Sequence, residues 1–228
     1  MKNIKSTIKR ILDEKTGIVT PVYTRSAAKA EYISFDIFDT LIVRDTDKPT
    51  DLFTLMEKQL CQKGFSKKRI SAELAARSQK KNGEVTIHDI YASFEGISPE
   101  MAECYCRAEL QAELFVCRPN QNIMPFYQKC ICQKKVILTS DMYLPSDMMR
   151  KILDKCGITG YKKLYISCEA GTSKHNSGLY RYVLSDLGIT ADKLLHIGND
   201  WKADYYCAKK AGISAQKLRT GITDCHSE

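Results

Sequence analysis

Four short apolar runs, rich in β-branched and aromatic residues, punctuate the chain: Tyr32-Ile33-Ser34-Phe35, Val136-Ile137-Leu138, Leu164-Tyr165-Ile166 and Leu194-Leu195-His196-Ile197. Runs of this length and type predict buried parallel strands. After each of the last three, apolar residues recur with helical spacing, over about Ser146 to Cys156, Ser177 to Leu187 and Trp201 to Ala211. Gly157, Gly188 and Gly212 follow as helix-ending glycines. Strand and helix in alternation predict βαβ units with right-handed crossovers. The expected fold class is α/β, a Rossmann-like doubly wound parallel sheet.

A different period separates the first strand from the second. Pro49-Thr50-Asp51 opens a helix with Leu52, Phe53, Met56 and Leu60 on one face, ended by Lys63-Gly64. Ser66 is expected to cap the next helix, which carries Ile70 and Leu74. Thr86 precedes Ile87, Ile90, Tyr91 and Phe94, and Ser98-Pro99 joins an N-cap to a proline in the first turn. That last helix runs to about Cys117, ahead of Arg118-Pro119. From about Asn120 a further helix with Ile123, Met124, Tyr127, Cys130 and Ile131 leads back to the sheet. The expected organisation is a core of residues 31–44 and 120–228, an all-helical cap over 45–119, and an N-terminal arm over 1–30.

Composition narrows the class. With 43% hydrophobic and 27% charged residues in 228, the chain is expected to be a soluble globular protein with a sizeable core. No apolar run approaches a membrane span, and no signal-peptide core opens the sequence, so a cytoplasmic location is expected. The ten cysteines include no C-x-x-C pair. Cys104/Cys106 and Cys130/Cys132 are spaced to point apart on helices, and the cysteines read as reduced, mostly buried small hydrophobes.

Charge is uneven. Of the net +8, most sits in residues 1–30, where Lys2, Lys5, Lys9, Arg10, Lys15, Arg25 and Lys29 face only Asp13 and Glu14. Ile4, Ile8, Ile11 and Leu12 recur there at helical spacing, consistent with a short amphipathic helix. The arm reads as a solvated segment packed loosely on the domain, with an acidic partner, nucleic acid or an anionic membrane surface as the alternative. Nothing else resembles a nucleic-acid module, and no transmembrane segment is expected.

Candidate chemistry gathers where strands end. The first run stops on Asp36, which places a carboxylate at the C-terminal edge of the sheet, where open α/β sheets do their chemistry. The run Val136 to Thr139 continues into Ser140-Asp141, a hydroxyl and backbone donors suited to an anion. Lys174, in the loop from Glu169 to Gly178, is placed to neutralise developing negative charge. His196-Ile-Gly-Asn199-Asp200-Trp-Lys-Ala-Asp204 sets oxygen-bearing side chains around a helix start, a donor type that suits Mg²⁺.

In this order these segments resemble the haloacid dehalogenase-like hydrolase superfamily, mostly phosphatases with a helical cap inserted after the first motif, over about residues 31 to 218. The resemblance implies Asp36 as nucleophile, Thr40 as the first motif's hydroxyl, Ser140 as the second motif, with Thr139 one register earlier, and Lys174 as the third. Asn199, Asp200 and Asp204 fall on the fourth, acidic motif. A Mg²⁺ ion would be held by Asp36, the Phe38 carbonyl, Asn199, Asp200 and Asp204. Ser140, Asp141, Thr40 and Lys174 would bind a small phosphorylated substrate, such as a sugar phosphate. Phe35-Asp-Ile-Phe-Asp-Thr-Leu41 and Thr139-Ser-Asp-Met-Tyr-Leu-Pro145 resemble more narrowly a bacterial subgroup linked with surface-polysaccharide synthesis.

Two positions depart from the family pattern. Phe38 stands where phosphatases carry a second Asp, the general acid and base, so Asp39 is the replacement candidate; its alternative role is to cap its own turn. Asn199 stands where the fourth motif commonly begins with Asp. The functional expectation is a Mg²⁺-dependent phosphatase or phosphotransferase, against a catalytically weak binding module or a metal-free dehalogenase. His175 reads as a loop or substrate-side residue, His196 as a satisfied core histidine, and Trp201 as packing the last helix onto the sheet.

Overall fold

The computed structural model describes residues 29–218. The arm and its expected amphipathic helix lie outside the described residues, apart from Lys29 and Ala30.

Five parallel strands form the central sheet: β1 (Tyr32–Phe35), β4 (Lys135–Ser140), β5 (Lys163–Ile166), β6 (Leu194–Gly198) and β7 (Ser214–Lys217), in the order β5-β4-β1-β6-β7. β1 is central, with Phe35 level with Leu138 on one side and Ile197 on the other. The chain winds outward from β1 to β4 and β5, then crosses back to β6 and β7. Helices cover both faces. Phe126 and Tyr127 of α5 (Met124–Gln133) and Met149 of α6 (Ser146–Lys155) pack with Ile33, Phe35 and Leu138. Leu179, Tyr180 and Val183 of α7 (Gly178–Leu187) pack with Ile137 and Leu194 on the opposite face. Alternate strand residues thus feed two cores, as a doubly covered sheet requires.

Between β1 and β4 the chain leaves along β2 (Ile42–Arg44) and returns along β3 (Cys117–Pro119), an antiparallel ribbon pairing Ile42 with Pro119 and Arg44 with Cys117. Four helices lie beyond it: α1 (Asp51–Gln59), α2 (Phe65–Gln79), α3 (Ile87–Ala92) and α4 (Pro99–Val116). Thr86 and Asp89 form a capping box at α3, and Ser98 caps α4 with Pro99 in its first turn.

The sequence expectation needs correction in several places. β2, β3 and β7 were not predicted, being short and lacking an apolar run. Ser66 lies inside α2 rather than capping it, and the buried face of α2 is Phe65, Arg69, Ala72 and Ala76, leaving Ile70 and Leu74 exposed. A fully buried arginine outweighs two aliphatics because Glu109, on α4, accepts two hydrogen bonds from it at 2.8 Å. The Arg69 guanidinium also lies 4.5 Å over the Phe53 ring and 4.9 Å over Tyr143. Trp201 does not pack onto the sheet: it is 59% exposed and stacks on Tyr205 at 4.8 Å. Among the described residues, no helix is long and apolar enough to cross a membrane.

Candidate active site

Asp36 follows directly on β1, its N–H donating to Ile197 O of β6 at 2.9 Å. Its carboxylate is buried and meets two donors. Lys174 Nζ lies 2.5 Å from Oδ1, and Thr40 Oγ1 lies 3.0 Å from Oδ2. Thr40 reaches it because the chain turns sharply here, Ile37 O accepting from the N–H groups of both Leu41 and Ile42.

Lys174 is also buried, and its Nζ lies 2.6 Å from Asp204 Oδ1, so one ammonium bridges two carboxylates. Its loop is fixed from beneath: Asp141 accepts from the Lys174 N–H at 2.7 Å and its other oxygen lies 3.0 Å from His175 Nδ1. His175 is otherwise exposed, as a loop residue is expected to be.

Asp204 sits in π-helical turns (Trp201–Tyr206) that begin the last helix. Its carboxylate accepts from Lys174, from His196 Nε2 at 3.1 Å and from the Asp200 N–H at 2.9 Å. The approach depends on Gly198, where any Cβ would lie 2.3 Å from Asp204 Oδ2. His196 in turn accepts at Nδ1 from Ser34 Oγ at 2.9 Å, and Ser34 lies 2.9 Å from Thr139 Oγ1. The histidine is satisfied on both nitrogens, and burial lowers its pKa, so the ring is neutral. Burial alone would raise Asp204, but Lys174 and His196 hold it well below the usual carboxylate range. For Asp36 burial wins over the pull of Lys174, and its carboxyl is pushed up to about 7. Lys174 stays charged, since its two carboxylates outweigh its own burial.

The expected residues therefore converge unequally. Asp36, Thr40, Lys174 and Asp204 form one buried cluster, joined by Asn199, whose Oδ1 lies 3.2 Å from Thr40 Oγ1. Asp204, expected as a metal ligand, has both oxygens taken by protein donors. Asp141, expected to contact substrate, spends both of its oxygens on the Lys174 loop. Asp200 is exposed and caps the following turns, accepting from the Ala203 N–H at 2.5 Å. Thr139 points into the Ser34–His196 chain, whereas the hydroxyl of Ser140, which is 2% exposed, has no hydrogen bond among the described residues. Ser140 is thus the hydroxyl left for a ligand.

Phe38 carries no proton and is occupied: the Arg44 guanidinium lies 3.9 Å over its ring while forming a bidentate pair with Glu113 of α4. Asp39 is exposed with φ 56°, in the left-handed region that glycine tolerates better than other residues. Its N–H donates to Ile42 O at 2.7 Å, but its carboxylate makes no hydrogen bond or ion pair among the described residues, so it does not cap its turn. Sequence reasoning gave no part to Ser34, Arg44 or Gly198; the glycine directly after the β6 run is the one of these signals that a sequence displays.

Oxygen donors with capacity left remain around the strand ends: the exposed Asp200, which spends one carboxylate oxygen on the Ala203 N–H, the Asn199 amide oxygen, which accepts from Thr40, and the Phe38 carbonyl, which accepts no backbone hydrogen bond. With the Asp36 carboxylate this all-oxygen set fits a hard cation that keeps several waters, such as Mg²⁺.

No protein-family model matches the chain, and no curated protein matches its sequence. Solved structures do. A 2-haloacid dehalogenase from Pseudomonas syringae aligns at a TM-score of 0.61 and 14% identity, over 86% of this chain and 91% of that one. The HAD-hydrolase YfnB from Bacillus subtilis, bound to magnesium, aligns at 0.59 and 15% identity, over 83% and 89%. A HAD family enzyme from Bacteroides thetaiotaomicron, in complex with magnesium and inorganic phosphate, aligns at 0.56 and 16% identity, over 86% and 98%. At these identities the likeness establishes the fold.

Proposed function

We propose that this chain, whose fold is that of the haloacid dehalogenase-like hydrolases, is a cytoplasmic phosphatase or phosphotransferase acting on a small phosphorylated metabolite through an aspartyl-phosphate on Asp36. The observation that carries the reading is the buried Asp36–Lys174–Asp204 bridge at the C-terminal edge of β1. It presents one carboxylate to incoming substrate and fixes a cation beside it.

Asp36 attacks phosphorus in line; the P–O bond to the leaving group breaks as the Asp36 O–P bond forms. Lys174 and the free Ser140 hydroxyl hold the phosphoryl oxygens. Asp204 positions Lys174, and Thr40 orients Asp36. Mg²⁺ held by Asp36, the Phe38 carbonyl, Asn199 and Asp200 would supply charge neutralisation at those oxygens. Asp39, with an unpartnered carboxylate, is the candidate to give the leaving oxygen its proton and then take one from the attacking water. The helices between β2 and β3 act as the cap that selects substrate.

A second reading rests on Phe38 and Asn199. With the acid position filled by a ring under Arg44 and one fourth-motif charge missing, the alternative is a weakly catalytic binding module or, less favoured, a metal-free dehalogenase. A screen of phosphorylated metabolites with and without Mg²⁺, run on parent and Asp36→Asn, separates them. Phosphate release that needs both Mg²⁺ and Asp36 supports the phosphatase. Halide release from haloacids without metal, or ligand binding without turnover, overturns it.

A further inference from the structure

A second cluster of metal-binding side chains lies on the helical insert, away from the strand ends. Among the described residues, one group of three His, Cys, Asp or Glu side chains brings its ligand atoms within 4.8 Å of one another: His88, Glu103 and Cys106. Glu103 and Cys106 are one turn apart on α4 and so share a face. His88, at the second position of α3, meets them from the neighbouring helix. His88 Nδ1 lies 3.7 Å from Cys106 Sγ and 3.8 Å from Glu103 Oε2. A tetrahedral zinc ion with ordinary Zn–N, Zn–S and Zn–O bond lengths sets its nitrogen and sulfur about 3.5 Å apart and its nitrogen and oxygen about 3.3 Å apart. The two separations from the imidazole thus exceed those tetrahedral edges by about 0.2 and 0.5 Å, and the thiol and carboxylate lie within 4.8 Å of each other.

We propose that His88, Glu103 and Cys106 form a zinc site that leaves the fourth coordination position open. The same three residues line a cavity of about 320 Å³ whose walls include Tyr91, Phe94, Ile97 and Ala102. The open position faces that cavity, and a water completes the shell. An imidazole, a carboxylate and a thiolate select a borderline-soft ion such as Zn²⁺ over Mg²⁺. Cys106 is the buried member of the set, while His88 and Glu103 are exposed and free to adjust. Cys104, two residues before Cys106, is exposed and lies off the shared face, which leaves one thiol for the metal. In the metal-free protein, burial pushes the Cys106 thiol up to about 12. Binding therefore forms the Zn–S bond as the S–H bond breaks, and the proton goes to solvent. The Glu103 carboxylate, 3.3 Å from Arg107 in the metal-free state, exchanges that surface ion pair for the metal.

Cobalt(II) titration of the full chain, reduced and stripped of metal, tests this. The expected result is one equivalent bound with intense visible bands of a tetrahedral ion and a near-ultraviolet thiolate-to-metal band, all displaced by one equivalent of Zn²⁺. Cys106→Ser removes the thiolate band. Cys104→Ser and Asp36→Asn keep it, which separates this site from a neighbouring thiol and from the strand-end donors. Losing even an outer partner of a metal ligand costs about 10- to 100-fold in affinity, so His88→Ala, at an exposed position where folding is not at risk, weakens Co²⁺ by at least about tenfold. No thiolate band at one equivalent, a band that survives Cys106→Ser, or a His88→Ala titration matching the parent would overturn the proposal.

Discussion

Lys174 and Asp36 are locked as a buried pair, Nζ 2.5 Å from Oδ1, with side chains 4% and 8% exposed. The lysine neutralises the strand-end carboxylate without help from solvent, and it does so from a loop that Asp141 pins through the Lys174 N–H. Lys174→Met keeps the volume and removes the charge, leaving Asp36 and Asp204 facing each other. Breaking a buried pair from one side costs about 3–5 kcal/mol. We expect a loss of that order in urea-unfolding free energy together with loss of phosphate release; an unchanged unfolding midpoint would show that the bridge is not formed.

Asp36 also gives the metal-free protein a pH signature. Its folded pKa is raised to about 7 by burial, against an unfolded value of about 3.9. The folded state therefore binds the extra proton, and the stability this group contributes is complete below about pH 4 and is lost as pH rises through about 7. The loss is on the order of a few kcal/mol. Asp36→Asn cannot ionise and should flatten the slope. Urea midpoints from pH 4 to 8 in EDTA measure it, and parallel profiles for parent and variant would refute the assignment.

Asn199 and Asp204 are expected to respond in opposite ways. Asp204 serves three protein donors, so Asp204→Ala strands Lys174 and His196 and should cost about 3–5 kcal/mol of stability. Asn199→Asp adds a carboxylate to the open donor set and should tighten Mg²⁺, read by calorimetry, with the fold intact. Weaker Mg²⁺ binding in that variant would remove Asn199 from the metal shell.

Asp39 decides how the leaving group is protonated. Asn tolerates the left-handed backbone, so Asp39→Asn removes the acid and leaves the turn. Removing a general acid typically costs about a hundredfold or more. That loss should fall on an alkyl phosphate, whereas an aryl phosphate, whose leaving group needs little protonation, should be cleaved nearly as before. Similar losses on both esters would make Asp39 structural.

What the sequence displayed and what it hid follow one physical rule. β1, β4 and β6 are buried on both faces, and β5 over Tyr165 and Ile166, and they therefore read as apolar runs; Ser98-Pro99 and Thr86 signal helix starts because capping is local. The order Asp36, Ser140, Lys174, Asp204 was legible because each stands at or near a strand end. The partners were not. Asp204 looked like a metal ligand because nothing local shows that His196 and Lys174 occupy its oxygens. Arg69 gave no signal of burial because its counterion, Glu109, is forty residues away. β2 and β3 contain Arg44 and Pro119 and hold together through pairing that spans the whole insert, which no window of sequence contains.

That ribbon has a consequence for how the molecule can change. Because the outgoing and returning chains are zipped side by side, with Arg44 opposite Cys117, the sheet meets everything from Asp45 to Val116 as a closed stem. The entropy of closing a loop grows only slowly with its length. Length changes in the loops above the stem therefore add little to the cost of closing it, whereas the helices that reach Tyr143 of the core are held by more than the stem. The bidentate Arg44–Glu113 pair, with Phe38 beneath it, is a fastening at the stem that such a change must reproduce, beside the Arg118–Asp45 ion pair and the Lys155 bond to Cys117 O, since it carries the orientation of the upper helices down to the residue beside Asp39.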